Sequence, residues 1–218
     1  TKAQRYFPNL REMAFFIVEI GGIFIFIAIT YHKQLTKDDL QHYKHIEEAI
    51  DGLLFRTSMN NEENKDMIQS LLQLGFSKDK IIIHSDVTLL EDLHLKRIHF
   101  KENDTTAFTY KEAHPDICVS MSTHDVETVK RCYENGLDSV FFGHIFPTSS
   151  HPNVPPRSKE AIQQALNVPI PIYAIGGINE HSLQKMPPGF KGICAISYFN
   201  NASLEEIKQL RKEWSTHA

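Results

Sequence analysis

What the chain has little of narrows the field first. Cysteine is scarce: Cys118, Cys132 and Cys194 are odd in number, scattered and without Cys-x-x-Cys spacing. That argues against a disulfide scaffold and a structural zinc site, and it suggests a reducing, cytoplasmic setting. An excess of positive charge is also missing. The 23 Lys and Arg against 27 Asp and Glu leave a net charge of −4, with no basic stripe, so nucleic acid is not an expected partner. Glycine and proline, at 10 each in 218 residues, are too few for a collagenous or low-complexity chain. Only one long apolar run exists, Met13–Ile29. Glu19 and Gly21-Gly22 interrupt it, it is shorter than the roughly 20 residues of a membrane span, and no small-residue cleavage site follows. No membrane partner is expected. Residues 1–22 read as an N-terminal extension and 23–218 as one domain.

What is present is ordinary globular material, 41% hydrophobic and 23% charged, long enough to bury a large core. From Ile23 onward two patterns alternate. Short apolar runs occupy Ile23–Ile29, Gly52–Arg56, Lys80–His84, Arg97–Phe100, Asp116–Ser120, Asp138–Phe142, Ile170–Ile175 and Gly192–Ile196. Between them lie segments with helix-start residues: Thr36, Asn61, Ser85, Thr123, Ser158, Asn179 and Ser203, the last with Glu206 at capping-box spacing. Gly75 and Gly136 stand where helices should stop. Runs that are apolar almost throughout suit parallel strands covered on both faces. Eight such strands, each followed by a helical segment, predict an α/β fold, a single-domain (β/α)8 TIM barrel; an open doubly wound sheet is the alternative.

In such a barrel the chemistry sits in the loops after the strands. Two of these loops stand out. Gly176-Gly177 closes the apolar run Ile-Tyr-Ala-Ile and precedes a helix. Together with Ile196 and Ser197 after the eighth strand it is a candidate phosphate cradle of backbone N–H groups; the other reading is a tight turn with no ligand. The loop after the sixth strand is the longest, and Pro147, Pro152, Pro155 and Pro156 stiffen it. It carries His144, Thr148, Ser149, Ser150, His151 and Arg157. His144 directly follows the strand, where a histidine serves either as a general acid/base or as a structural group bonded to a carbonyl. Asp86 and Asp104 read as helix caps more readily than as metal ligands. The twelve histidines identify no metal site by number alone. Amphipathic outer helices leave a homodimer open.

The stretches DSVFFGHIFPTSS (138–150), YAIGGI (173–178) and GICAISYF (192–199) resemble the thiamine phosphate synthase/TenI superfamily. The resemblance runs from about Ile23 to the C-terminus and implies a barrel acting on thiazole phosphates. Its synthase branch joins a pyrimidine pyrophosphate to a thiazole phosphate using magnesium. In the synthase motifs, Gln-Leu-Arg-x-Lys is here Leu54-Phe55-Arg56-Thr57-Ser58, and Asn-Asp-Arg is here His84-Ser85-Asp86. The pattern His-Leu-Gly-Gln-x-Asp is here His99-Phe100-Lys101-Glu102-Asn103-Asp104, and the lysine of Thr-x-Thr-Lys is here His151.

Gly143-His144 matches the TenI branch, the thiazole tautomerases. The resemblance therefore implies an isomerase that needs neither metal nor cofactor, with His144 as proton carrier. Arg56 would hold the substrate carboxylate, Ser120, Ser122, Thr148, Ser150 and His151 would contact substrate, and Gly176, Gly177, Ile196 and Ser197 would hold phosphate. The second TenI histidine, after the fifth strand, is replaced within Ser120-Met121-Ser122. Ser122, His124, His151 and His84 are its possible substitutes. The synthase itself, or a ligand-binding homologue without catalysis, are the alternatives.

Overall fold

The computed structural model describes residues 24–150 and 152–217. The extension over 1–22 and His151 lie outside the described residues.

Eight parallel strands close into a barrel in sequence order: β1 (Ile25–Ile29), β2 (Gly52–Phe55), β3 (Ile81–His84), β4 (Arg97–Phe100), β5 (Cys118–Thr123), β6 (Ser139–Gly143), β7 (Ile172–Ile175) and β8 (Gly192–Ala195). The helices that follow them are α1 (Lys37–Ile46), α2 (Asn61–Gln73), α3 (Val87–Asp92), α4 (Thr106–Ala113), α5 (Val126–Glu134), α6 (Lys159–Leu166), α7 (Glu180–Leu183), α8 (Ser197–Asn201) and α9 (Leu204–His217). The TIM-barrel expectation is met, and the open sheet is excluded by the β1–β8 pairing of Ile25 with Gly192 through Ala28 with Ala195.

The strands are apolar on both faces because both faces are covered. Their outward residues, among them Phe26, Leu53, Ile83, Ile98, Val119 and Val140, pack against the helices. The inward residues Ile27, Ile29, Leu54, Ile82, Phe141 and Cys194 fill the barrel. Each buried side chain of this size contributes about 1.5–3 kcal/mol. β4 and β5 break the inner apolar pattern. The alternation of β4 puts Arg97 and His99 on the inner face, where His99 stacks on Phe141 at 3.9 Å between centroids.

Helix starts follow the expected chemistry with small shifts. Thr36, Ser158 and Asn179 cap α1, α6 and α7 as expected. The other expected caps Asn61, Ser85 and Thr123 give way to Asn60, Asp86 and Asp125, whose carboxylates or amide accept from the third helical N–H. The side chains of Ser85 and Thr123 are spent elsewhere, Ser85 Oγ on the N–H of Lys101 and Thr123 Oγ1 on the carbonyl of Phe141. Ser203 and Glu206 form the reciprocal pair ahead of α9.

Below the barrel, α9 is tied on by Arg211. Its guanidinium donates to the carbonyls of Phe24 and Ala49 and to Asp51 Oδ2, and lies over the Phe26 ring at 4.3 Å. Asp51 also accepts the N–H of Phe26 at 2.7 Å, so one cation joins β1, the segment before β2 and the last helix. Arg211→Met keeps the aliphatic stem but strands two carbonyls and a carboxylate. It should lower unfolding free energy by about 1–3 kcal/mol in urea titrations.

Candidate functional site

The C-terminal ends of the strands form one mouth, whose two halves differ chemically. On one side lie the apolar inner residues Ile29, Ile175 and Ile196. On the other, Arg56 directly follows β2, His84 ends β3 and Lys101 directly follows β4. Arg56 is placed by its own N–H, which donates to buried Thr30 Oγ1 at 2.9 Å. Lys101 is placed by its N–H on Ser85 Oγ at 3.2 Å. Burial pushes the His84 imidazole down to about 4, and the nearby Arg56, Lys101 and His32 add to this, opposed only by Asp104. The local field is therefore positive, suited to an anion.

Beneath this rim sits His99, fully enclosed. Its Nδ1 is 2.8 Å from Ser120 Oγ and its Nε2 is 2.8 Å from Ser122 Oγ. Burial holds the ring well below the usual imidazole value, with His84 and Arg56 as lesser causes, so it is neutral at physiological pH. Ser120 and Ser122, both within β5, are thus brought together through His99, which is not among the candidates named from the sequence. The signal was present. Arg97, His99 and Lys101 alternate with Ile98 and Phe100, which places all three on one face of a strand.

His144 lies at the end of β6, 4% exposed. Its Nε2–H donates to the carbonyl of Val154 at 3.0 Å, and its own carbonyl accepts from the Arg157 N–H at 3.0 Å. These bonds pin the proline-rich loop back onto the barrel. Gly176 and Gly177 have φ of +95° and +68°, and the structure gives a more specific reason for them than ligand approach. A Cβ at Gly176 would overlap His144, and one at Gly177 would overlap Phe146 and Pro147. The glycines admit the β6 loop.

Thr148 and Ser150 lie on that loop, Thr148 Oγ1 accepting the Ser150 N–H at 3.3 Å. A cleft of ≈ 280 Å³ opens beside them, lined by Pro147, Thr148, Ser149, Pro152 and Val154. Ile196 and Ser197 form the start of α8. His124, a possible second histidine, is turned to Glu102, which takes its N–H at 2.7 Å and its Nδ1 at 2.9 Å.

The magnesium ion implied by the synthase resemblance needs carboxylates with free oxygens. Asp86 spends Oδ1 on the N–H of Leu89 and Oδ2 on Asn61. Asp104 Oδ1 accepts from the N–H of Thr106. Ser85 has no carboxylate, and Lys101 brings a cation to the same rim. Among the described residues no group of three or more His, Cys, Asp or Glu is placed to hold a metal. This donor set does not fit a resident divalent ion.

A TIM barrel with an electropositive half-mouth is the class of protein that fold and site define. The comparisons with known proteins narrow it. The thiamine monophosphate synthase family model matches residues 27–199, and the chain belongs to that family. It is similar to the thiamine-phosphate synthase of Clostridium tetani (strain Massachusetts / E88), 31% identical over 179 residues, 78% of this chain and 85% of that protein. It is also similar to the thiamine-phosphate synthase of Bacillus cereus (strain AH187), 30% identical over 201 residues, 83% of this chain and 88% of that protein. Among solved structures, thiamine phosphate pyrophosphorylase from Pyrococcus furiosus superposes with a TM-score of 0.72 at 20% identity, covering 88% of this chain and 96% of that one, a likeness of fold.

These findings correct the expected branch. The curated relatives carry the name of a transferase, so the isomerase reading is set aside, and with it the proton-carrier role assigned to His144. Gly143-His144 and the replaced residues of the synthase motifs pointed to the other branch, but they are local features and the similarity to synthases spreads over most of the chain.

No helix among the described residues is long and apolar enough to cross a membrane.

Burial makes the pH behaviour of His84 testable. Its value is near 4 in the fold against 6.5 unfolded. The unfolded chain therefore binds the proton first as pH falls. The stability contributed by neutral His84 is complete above about 6.5 and is lost as pH drops toward 4. Urea midpoints measured from pH 7 to pH 4 should fall less steeply for His84→Gln than for the wild type.

Proposed function

We propose that the chain catalyses the thiamine-phosphate synthase reaction, the coupling of a thiazole phosphate to a pyrimidine pyrophosphate, at the mouth of its barrel. The observation that carries this reading is the 31% identity extending over 85% of a curated synthase, with the family model spanning 27–199. The mouth supports it. Departure of a pyrophosphate leaves negative charge on phosphate oxygens, and preorganised cations stabilise such charge as it develops. Arg56 and Lys101 are the side chains for that role, with Arg56 offering paired N–H donors to one phosphate. The N–H groups of Gly176, Gly177, Ile196 and Ser197 would take the phosphate of the thiazole partner. Thr148 and Ser150 of the β6 loop, together with His151, would contact it. His144 then positions that loop through its bond to Val154 and does not touch the reacting atoms. A cytoplasmic setting, suggested by three free cysteines, belongs to the same proposal.

One observation favours a second reading, a protein that binds phosphorylated ligands without turnover: both carboxylate oxygens of Asp86 are hydrogen-bonded within the protein, as is Oδ1 of Asp104. A single experiment separates the two. Purified protein is incubated with both substrates, with and without Mg²⁺, and thiamine phosphate and released pyrophosphate are quantified. Product above the uncatalysed rate is expected. Binding of both substrates by calorimetry with no product under either condition would select the non-catalytic reading.

The role of Arg56 has its own measurement. Losing a charged hydrogen bond costs about 1.5–3 kcal/mol, so Arg56→Gln should lower kcat/KM for the pyrophosphate substrate by about ten- to a hundredfold. KM for the thiazole phosphate should barely move. Equal loss for both substrates in a folded variant would remove Arg56 from the pyrophosphate side.

A further inference from the structure

The mouth holds two cations that the fold leaves without a counter-charge. Elsewhere on the barrel Lys65, Lys96, Lys111, Lys130 and Lys208 each hold a carboxylate. Among the described residues, the Arg56 guanidinium and the Lys101 ammonium have no hydrogen-bond or ion-pair partner. The main chain holds these residues instead, through the Arg56 N–H on Thr30 Oγ1 and the Lys101 N–H on Ser85 Oγ. Ser85 also donates its own N–H to the His99 carbonyl at 2.9 Å, which laces the end of β3 to the end of β4. The base of Lys101 is thereby fixed while its side chain stays exposed.

The fold joins two departures from the synthase motifs that lie 16 residues apart in sequence. Ser85 stands at the Asp of Asn-Asp-Arg, and Lys101 stands at the glycine of His-Leu-Gly-Gln-x-Asp. A carboxylate is lost and a cation is gained at two residues that are hydrogen-bonded to each other. Both cations act on the half-buried His84 between them, and Asp104 is the acid that opposes them there. Asp104 Oδ1 is already on the N–H of Thr106. A dication entering this rim would face two fixed positive charges, whereas a pyrophosphate would be drawn to both.

We propose that the Lys101 ammonium, together with Arg56, is the counter-charge for the pyrophosphate group, and that the site binds and releases pyrophosphate without a divalent ion. This deepens the synthase reading and rests on it for the substrate. In the coupling, the bond from the pyrimidine's methylene carbon to the pyrophosphate oxygen breaks, and its electron pair leaves with the pyrophosphate. The lone pair of the thiazole nitrogen forms the new carbon–nitrogen bond, and no proton has to move. The negative charge left on the departing oxygens is taken by a mobile ammonium with three donors and a planar guanidinium with paired donors.

Two measurements on the full chain test this. Calorimetry with inorganic pyrophosphate in EDTA reads the anion site alone. The wild type should bind, Lys101→Met should bind about tenfold more weakly, and Lys101→Arg should keep most of the affinity. The coupling reaction is then followed in EDTA and with Mg²⁺. The wild type should turn over equally in both, to within about twofold, and Lys101→Met should lose about ten- to a hundredfold in kcat/KM for the pyrophosphate substrate in both, with KM for the thiazole phosphate unchanged. Turnover that appears only with Mg²⁺ would overturn this inference and leave the synthase reading standing. Pyrophosphate bound as tightly by Lys101→Met as by the wild type would overturn it as well. No turnover in either condition, with pyrophosphate binding in EDTA that Lys101→Met weakens, would overturn the synthase reading and leave the lysine assignment in place.

Discussion

Closure of β8 onto β1 is the constraint on which the rest of the molecule depends. Gly192 pairs with Ile25, and a Cβ there would overlap the Ile25 carbonyl, so the seam closes only because that residue is glycine. Once the seam is shut, every strand has two neighbours and one inward face. The inward face decides which residues can meet across the barrel. Ile27 of β1, Leu54 of β2, Phe141 of β6 and Cys194 of β8 are far apart in sequence and become one packed interior. The same closure brings Arg56, His84 and Lys101 to a common rim.

The interior is divided chemically, and that division makes a site. β4 and β5 place Arg97, His99, Ser120 and Ser122 where the other strands place aliphatic groups. A fully buried histidine costs free energy unless both ring nitrogens are paired, and here both are. The cationic rim above it lowers the His84 and His99 proton affinities further, so the site is built to attract anions while its histidines remain neutral. A proline-stiffened loop, held by His144 and admitted by two glycines, borders the opposite side. Family membership is shared with synthases, and the geometry places cations at the mouth. They diverge over the metal: of the two Asp positions in the synthase motifs, one is here Ser85 and the other is Asp104, whose Oδ1 accepts from the N–H of Thr106.

Much of this was legible in the sequence. All eight strands and the barrel follow from apolar runs separated by helix-start residues, since a parallel strand covered on both faces leaves an unbroken apolar signature. Strand ends moved by up to three residues, the most at the end of β5, and three caps moved by one or two positions. In the candidate site, Arg56, Ser120 and Ser122 were named from motif resemblance; the structure puts Arg56 directly after β2 and both serines inside β5. His99 was missed because its strand was read as apolar throughout, although its two-residue alternation was visible. The isomerase branch rested on Gly143-His144 and on the replaced residues of the synthase motifs, and the relatives overturn it.

By itself the sequence determined the architecture, the strand ends at which chemistry could occur and the superfamily, because strand periodicity, capping and short motifs are local properties. Tertiary structure decided what each polar side chain was already bonded to. Asp86 could cap α3 or hold a metal until Asn61 and the Leu89 N–H took its oxygens. His144 could move protons or anchor a loop until Val154 lay 3.0 Å from its Nε2. Ser122 had no defined partner until His99, 23 residues away in sequence, stood with Nε2 2.8 Å from its oxygen. Hydrogen-bond commitments are made across the barrel between distant residues, and no local pattern in the chain encodes them.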